Sequence, residues 1–223
     1  IIKQILPLDK SYNPGIVFSE KHLLSIAIVL LGCSFDMAIV SHIDYKIFIL
    51  IIVLITIAVI SSILLGRLFN LPHSLSLLLG IGNGICGSSA IAGASSIIKS
   101  KKNDIGISIA TINILGALGI FIVPLCINLF FNGSLQEQGI IIGSTIQAVG
   151  QVTAAGFMMG DEVGEMATFI KMIRILMLGP FLIILTFIYL SKDKGFKNIS
   201  IFSIPSFIIG FVICCILVNF KMI

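Results

Sequence analysis

Between His73 and Lys99 run 25 residues without a charge, Ser74 to Ile98, enough to cross a bilayer as a helix. The middle of that run is poor helix material: Gly82, Asn83, Gly84, Cys86, Gly87, Ser88 and Ser89. Glycine in a helix interior costs about 1 kcal/mol against alanine. A run of spanning length that is soft and polar at its midpoint reads as a broken transmembrane helix. Transporters use such breaks to set half-helix ends and free backbone groups at a substrate site. The alternative is a continuous helix whose small residues admit a close neighbour.

The rest of the chain places this run in a membrane. Of its 223 residues, 11% are charged and 57% hydrophobic, where a soluble domain has about 25% charged. The fold class expected is an all-α integral membrane protein, a polytopic helical bundle. Seven apolar segments, at 23–40, 47–66, 75–98, 105–131, 138–160, 167–190 and 199–220, form a single transmembrane domain over 1–223. The net charge of +4 sits mainly in connections and speaks to topology, not to nucleic acid. Residues 1–22 carry charges and prolines and show no secretory signal pattern, and the chain opens on Ile1, which reads as a trimmed end. Cys33, Cys86, Cys126, Cys214 and Cys215 lie in apolar runs without a CxxC pair, so free thiols are expected and neither a metal nor a cofactor is called for.

The run 138–160 is the second unusual one. It has no charge but carries Ser144, Thr145, Gln147, Gln151 and Thr153. IGSTIQAVGQVTAAG (142–156) shares Ile-Gly, a following Ile and a small-residue tail with IGNGICGSSAIAGA (81–94). Each is followed by a helix with Ala-Thr (110–111 and 167–168) and then a proline, Pro124 or Pro180. This hints at an internal repeat. Units of two full crossings would be parallel, whereas an inverted repeat needs an odd number. If every segment crosses, Lys and Arg divide seven to seven between the two sides, and the positive-inside rule gives no orientation. A re-entrant 138–160 would move every later loop to the other side.

Unwound amides and half-helix N-termini attract anions. Asn83, Cys86, Ser88, Ser89, Thr145, Gln147, Gln151 and Thr153 are the candidate substrate-binding residues of the two soft runs. The competing role for these groups is helix-to-helix contact. Lys171 and Arg174 are one turn apart and share a helix face. Charges inside a membrane helix usually mark a pathway, although these two could also snorkel or pair with Glu162 and Glu165. They complete the candidate set as anion attractors, and Arg174→Gln is expected to abolish transport and leave folded protein. Asp36 is a carboxylate inside an apolar run, readable as a cation site or as a helix end facing water. His22, His42 and His73 sit at segment ends, and no catalytic motif is present. The chain does not read as an enzyme.

The runs PGIVFSEKHLLSIAIVLLG (14–32), GNGICGSSAI (82–91), IGSTIQAVGQVTAAG (142–156) and IKMIRILMLGP (170–180) together resemble the YeiH family, bacterial inner-membrane proteins commonly labelled sulfate exporters. The resemblance implies a longer protein, with about two hydrophobic segments on either side of this chain. It also implies a secondary transporter related to folds with crossed broken helices and a moving core. Gly82–Ser89 and Ile146–Thr153 would be its paired soft segments, with Lys171 and Arg174 its basic pair. Gln147-Ala148 departs from the His-Glu or His-Asp of many members, and Cys33-Ser34 from an arginine.

The main expectation is thus alternating-access transport of a small anion, sulfate or a sulfonate, in the bacterial inner membrane. Its partners are that solute, the lipid bilayer and a coupling ion (proton or sodium), with a homo-oligomer left open. A channel and a scaffold subunit without flux are the alternatives.

Overall fold

Three helices are long and apolar enough to cross a membrane in the computed structural model, which describes residues 45–194 and 206–219 together with Ile26 and Val29. They are α1 (Tyr45–Leu68), the 29-residue α4 (Lys102–Phe130), and a rod Asp161–Tyr189. That rod comprises α7 (Asp161–Leu176) and most of α8 (Leu178–Lys194), with Met177 between. Four shorter helices lie among them: α2 (His73–Gly84), α3 (Ser88–Ile97), α5 (Leu135–Thr145) and α6 (Val149–Met159). The last described element is α9 (Ser206–Asn219). Apart from Ile26 and Val29, the expected segment 23–40, with Cys33 and Asp36, lies outside the described residues, as does 199–205.

Glycines set how closely these helices approach, and they fix the directions. A Cβ on Gly80 would fall 2.9 Å from the Val59 Cα, and one on Gly84 would lie 3.5 Å from Ile55, so α2 runs antiparallel to α1. Ser62 seals this seam by donating to the Ser76 carbonyl at 2.7 Å. Against α4 the same helix runs parallel: Ser74 Oγ donates to Asp104, and Gly82 lies under Ile112. Helix α3 then returns. Ile91 sits on Gly82, and the end of α3 is four residues from the start of α4, where Ser74 and Asp104 meet. A straight continuation would place the two ends of the 73–97 stretch about 35 Å apart at 1.5 Å per residue. The chain reverses at Gly87, whose φ of +80° suits glycine and few other residues.

The second pair repeats this path against α7. Gly139 abuts Val163 and Met166, and Gly143 abuts Ala167 and Ile170, so α5 runs parallel to α7. Gly156 abuts Gly164 and Ala167 and the Phe157 ring covers Gly164, so α6 runs antiparallel to it. Helices α5 and α6 therefore form a hairpin with its tip at 146–148. No glycine makes this reversal; Ile146 and Ala148 are extended, with ψ of 146° and 145°. Ser134 and Glu137 start α5 with a capping box, which satisfies two amides at once. The expectation of broken helices that continue across is corrected for both pairs: each folds back.

Outside this packing, long apolar side chains such as Ile57, Ile60, Leu64, Phe121, Leu125 and Leu129 remain exposed on α1 and α4. Apolar surface on this scale marks contact with a bilayer.

Candidate functional site

The two hairpin tips meet against the middle of α4 and the middle of the α7–α8 rod. Gly87 of the first tip lies 3.5 Å from Gln147 of the second, measured to where its Cβ would stand, and Gly119 abuts Ile146. The tips are also joined directly: Gln147 Nε2 donates to Asn83 Oδ1 at 2.6 Å. Gly116, facing both Gln147 and Gln151, leaves room for their amides where a larger residue would clash. Gln151 bridges further, accepting from the Ala148 amide at 3.3 Å and donating to the Asn113 carbonyl at 3.4 Å.

Two helix C-termini, those of α2 and α5, point their last carbonyls into this junction, and α7 supplies the cations that receive them. Arg174 Nε donates to Gly84 O at 3.1 Å, Nη2 to Asn83 O at 2.7 Å and Gly84 O at 2.8 Å, and Nη1 to the carbonyls of Gly143, Ser144 and Ile146. Lys171 Nζ donates to Ile85 O at 2.8 Å and Ile146 O at 3.1 Å. Helix C-termini carry partial negative charge, so cations there are favourable. The i, i+3 spacing stacks the ammonium above the guanidinium, each serving both hairpins. Lys171 is 0% exposed and Arg174 is 3% exposed. Every hydrogen bond either makes is to a backbone carbonyl; among the described residues neither meets a carboxylate.

The opposite poles also converge here. Helices α3 and α6 begin at Ser88 and Val149, and no side chain caps the first amides of α3. Ser88, Asn83, Thr145 and Asn113 are exposed and Ser89 is half-buried, although all lie near the centre of the helix array. Cys86 is buried, with its thiol 2.8 Å from Ser89 Oγ. Gln147 is 7% exposed, and its Oε1 has no hydrogen-bond partner.

Of the ten residues singled out in the sequence, the structure brings nine together: Asn83, Cys86, Ser88, Ser89, Thr145, Gln147, Gln151, Lys171 and Arg174. Thr153 stands apart, one turn along α6, with its hydroxyl bonded to the Val149 carbonyl at 3.0 Å. Arg174 is present in an unexpected role. A guanidinium has five N–H groups, and the carbonyls engage all of them, so it bears on an anion through its field and not by contact. Sequence reasoning missed Asn113 and Gly116. Gly116 had been noted only as a source of kinking within 105–131, and nothing local marks it as the floor of a junction built from distant segments.

Apolar helices of membrane-crossing length, gathered around a polar centre with two buried cations, define a helical membrane protein. The family model described as Conserved hypothetical protein 698 matches residues 1–223, and the chain belongs to this family, that of the bacterial UPF0324 membrane proteins. It is 34% identical over 212 residues to a UPF0324 membrane protein of Clostridium perfringens, covering 92% of this chain and 62% of that one. A Bartonella henselae relative is 37% identical over 205 residues, 92% of this chain and 58% of its own. One from Agrobacterium fabrum is 34% identical over 223 residues, all of this chain and 64% of its own. The chain thus spans about three fifths of the length of these relatives. Their names give a membrane protein and no cargo. No solved structure matches.

Proposed function

We propose that this chain is the core of a secondary transporter for a small anion, with sulfate or a sulfonate as the cargo class, working by alternating access. The observation that carries the reading is the pair Lys171 and Arg174, held at the meeting point of two hairpin tips with carbonyl dipoles but no carboxylate around them. Buried charge of this kind is costly unless function requires it. The dipoles of α2 and α5 hold the cations in place, and the net positive charge is left for a solute. That solute sits at the N-terminal ends of α3 and α6, with Ser88, Ser89 and Thr145 as neutral hydrogen-bonding groups.

The two hairpins are re-entrant and enter from opposite sides. Helices of 12 and 11 residues reach about 16–18 Å, roughly half of a 30 Å hydrocarbon core. A unit of one hairpin and one crossing helix then occurs twice, as 73–130 and 135–189. One crossing per unit makes the repeat inverted, the arrangement in which alternating access can exchange two like halves. Lys171 supports the equivalence, because its two acceptors, Ile85 and Ile146, follow Gly82 and Gly143 at the same spacing.

This topology also orients the protein. Arg67, Lys99, Lys101, Lys102, Lys192 and Lys194 fall on one side and Lys46 on the other, where Glu137, Asp161, Glu162 and Glu165 lie. By the positive-inside rule the ends bearing Arg67 and Lys101 are cytoplasmic.

Counterflow in proteoliposomes of the full-length protein tests the function. Vesicles preloaded with unlabelled sulfate, sulfite, taurine or a small carboxylate should transiently accumulate the labelled form of one of them. A pore cannot exchange label against its gradient, and a scaffold moves none. Absence of counterflow with every one of these anions would sink the reading.

A further inference from the structure

The junction holds one titratable group whose hydrogen bonding is complete without its charge. A neutral amine has two N–H groups, and Lys171 finds two acceptors, Ile85 O and Ile146 O, one from each hairpin. The ammonium has a third N–H, for which no further acceptor lies within hydrogen-bonding distance. The groups facing Lys171 that carry or can take charge are Arg174 on its own helix and the Cys86 thiol of the first tip. The second hairpin, residues 138–160, contains no titratable side chain, and neither do α4 between Ile105 and Leu125 or α8 between Leu178 and Ile188. A second cation beside Arg174 therefore has no counter-ion in the empty junction, where the low dielectric makes that arrangement unfavourable. An anion seated at the ends of α3 and α6 would supply one.

We infer that Lys171 is the coupling site for a proton: its Nζ lone pair takes up a proton from water when the anion binds, and the two are released together on the other side. The transported unit is one anion with one proton. This rests on the anion reading above and adds to it the identity of the coupling ion, which is a proton carried by an amine and not by a carboxylate. Because Nζ ties the two hairpins at equivalent carbonyls, its charge state acts on both tips at once.

The test uses labelled sulfate and the full-length protein in proteoliposomes, with the membrane voltage clamped at zero. Wild type should show sulfate counterflow at equal pH, and an inward proton gradient should drive uphill accumulation of about tenfold for each pH unit. Loss of counterflow removes the anion reading and this inference with it. Counterflow without any response to the pH gradient leaves the anion reading standing and overturns the proton site. Proton uptake in weakly buffered detergent solution then locates the site. Wild type should take up one proton for each sulfate bound, and Lys171→Gln, which keeps an NH2 for the two carbonyls, should take up none. An unchanged ratio in Lys171→Gln would assign the proton elsewhere. If that variant fails to fold or to bind sulfate, the wild-type ratio decides, with a value near zero against the inference.

Discussion

Replacing Arg174 by glutamine should destabilise the protein on the order of 3–5 kcal/mol, the range seen when one member of a buried charged interaction is removed. The variant strips the guanidinium from the carbonyls of Asn83, Gly84, Gly143, Ser144 and Ile146. Those groups close α2 and α5, and in a buried junction an acceptor without a donor costs about 1–3 kcal/mol. Arg174→Lys should recover only part of the loss, because an ammonium keeps the charge but has no planar fork to span two helix ends. Thermal unfolding of the purified full-length protein measures both. A midpoint for Arg174→Gln within a degree of wild type would mean that water serves those carbonyls as well as the arginine does. From the sequence this variant was expected to stay folded and lose transport. The hydrogen bonds revise that: fold and function should be lost together.

The second large effect is expected at Gly143. A Cβ there would stand 2.5 Å from the Ala167 carbonyl and 2.8 Å from the Ile170 Cβ. The nearest atom is backbone, so a side-chain rotation cannot relieve the clash and α5 must move away from α7. Overpacking of this kind typically costs about 1–3 kcal/mol, and here it also draws Gly143 and Ser144 away from Arg174. Gly143→Ala should therefore lower the unfolding midpoint and weaken sulfate binding. Gly150→Ala is the control, since nothing lies within 4 Å of its added Cβ. Equal behaviour of the two variants would contradict the close approach of α5 to α7.

Much of the architecture follows from transfer energetics and is legible locally. The runs 47–66, 105–131 and 167–190 correspond to α1, α4 and the rod Asp161–Tyr189, with the helices reaching a few residues further at their starts. Helix α2 stops at Gly84 inside the glycine-rich run, where propensity is weakest, and α5 stops at Thr145 where Ser and Thr cluster. The direction taken after each stop was not legible. It is set by approaches between residues far apart in the chain, such as Gly82 with Ile112 and Gly156 with Gly164, and small residues permit close packing without naming the partner. The seven-to-seven division of Lys and Arg followed from letting every segment cross, and folding both pairs back makes it lopsided. The shared face of Lys171 and Arg174 could be read from their spacing, but their partners are backbone carbonyls, which leave no mark in a sequence.

The account turns on two hairpins entering from opposite sides, and side-specific thiol labelling tests that directly. Single cysteines would be placed at Asn70, Ser100, Asn132 and Glu162 in full-length protein cleared of its native cysteines, and a membrane-impermeant reagent applied to intact cells. Asn70→Cys and Ser100→Cys should both be protected on the cytoplasmic side, and Asn132→Cys and Glu162→Cys should both be labelled. Opposite accessibility within either pair would mean that the segment between them crosses the membrane, and the opposed hairpins would have to be abandoned.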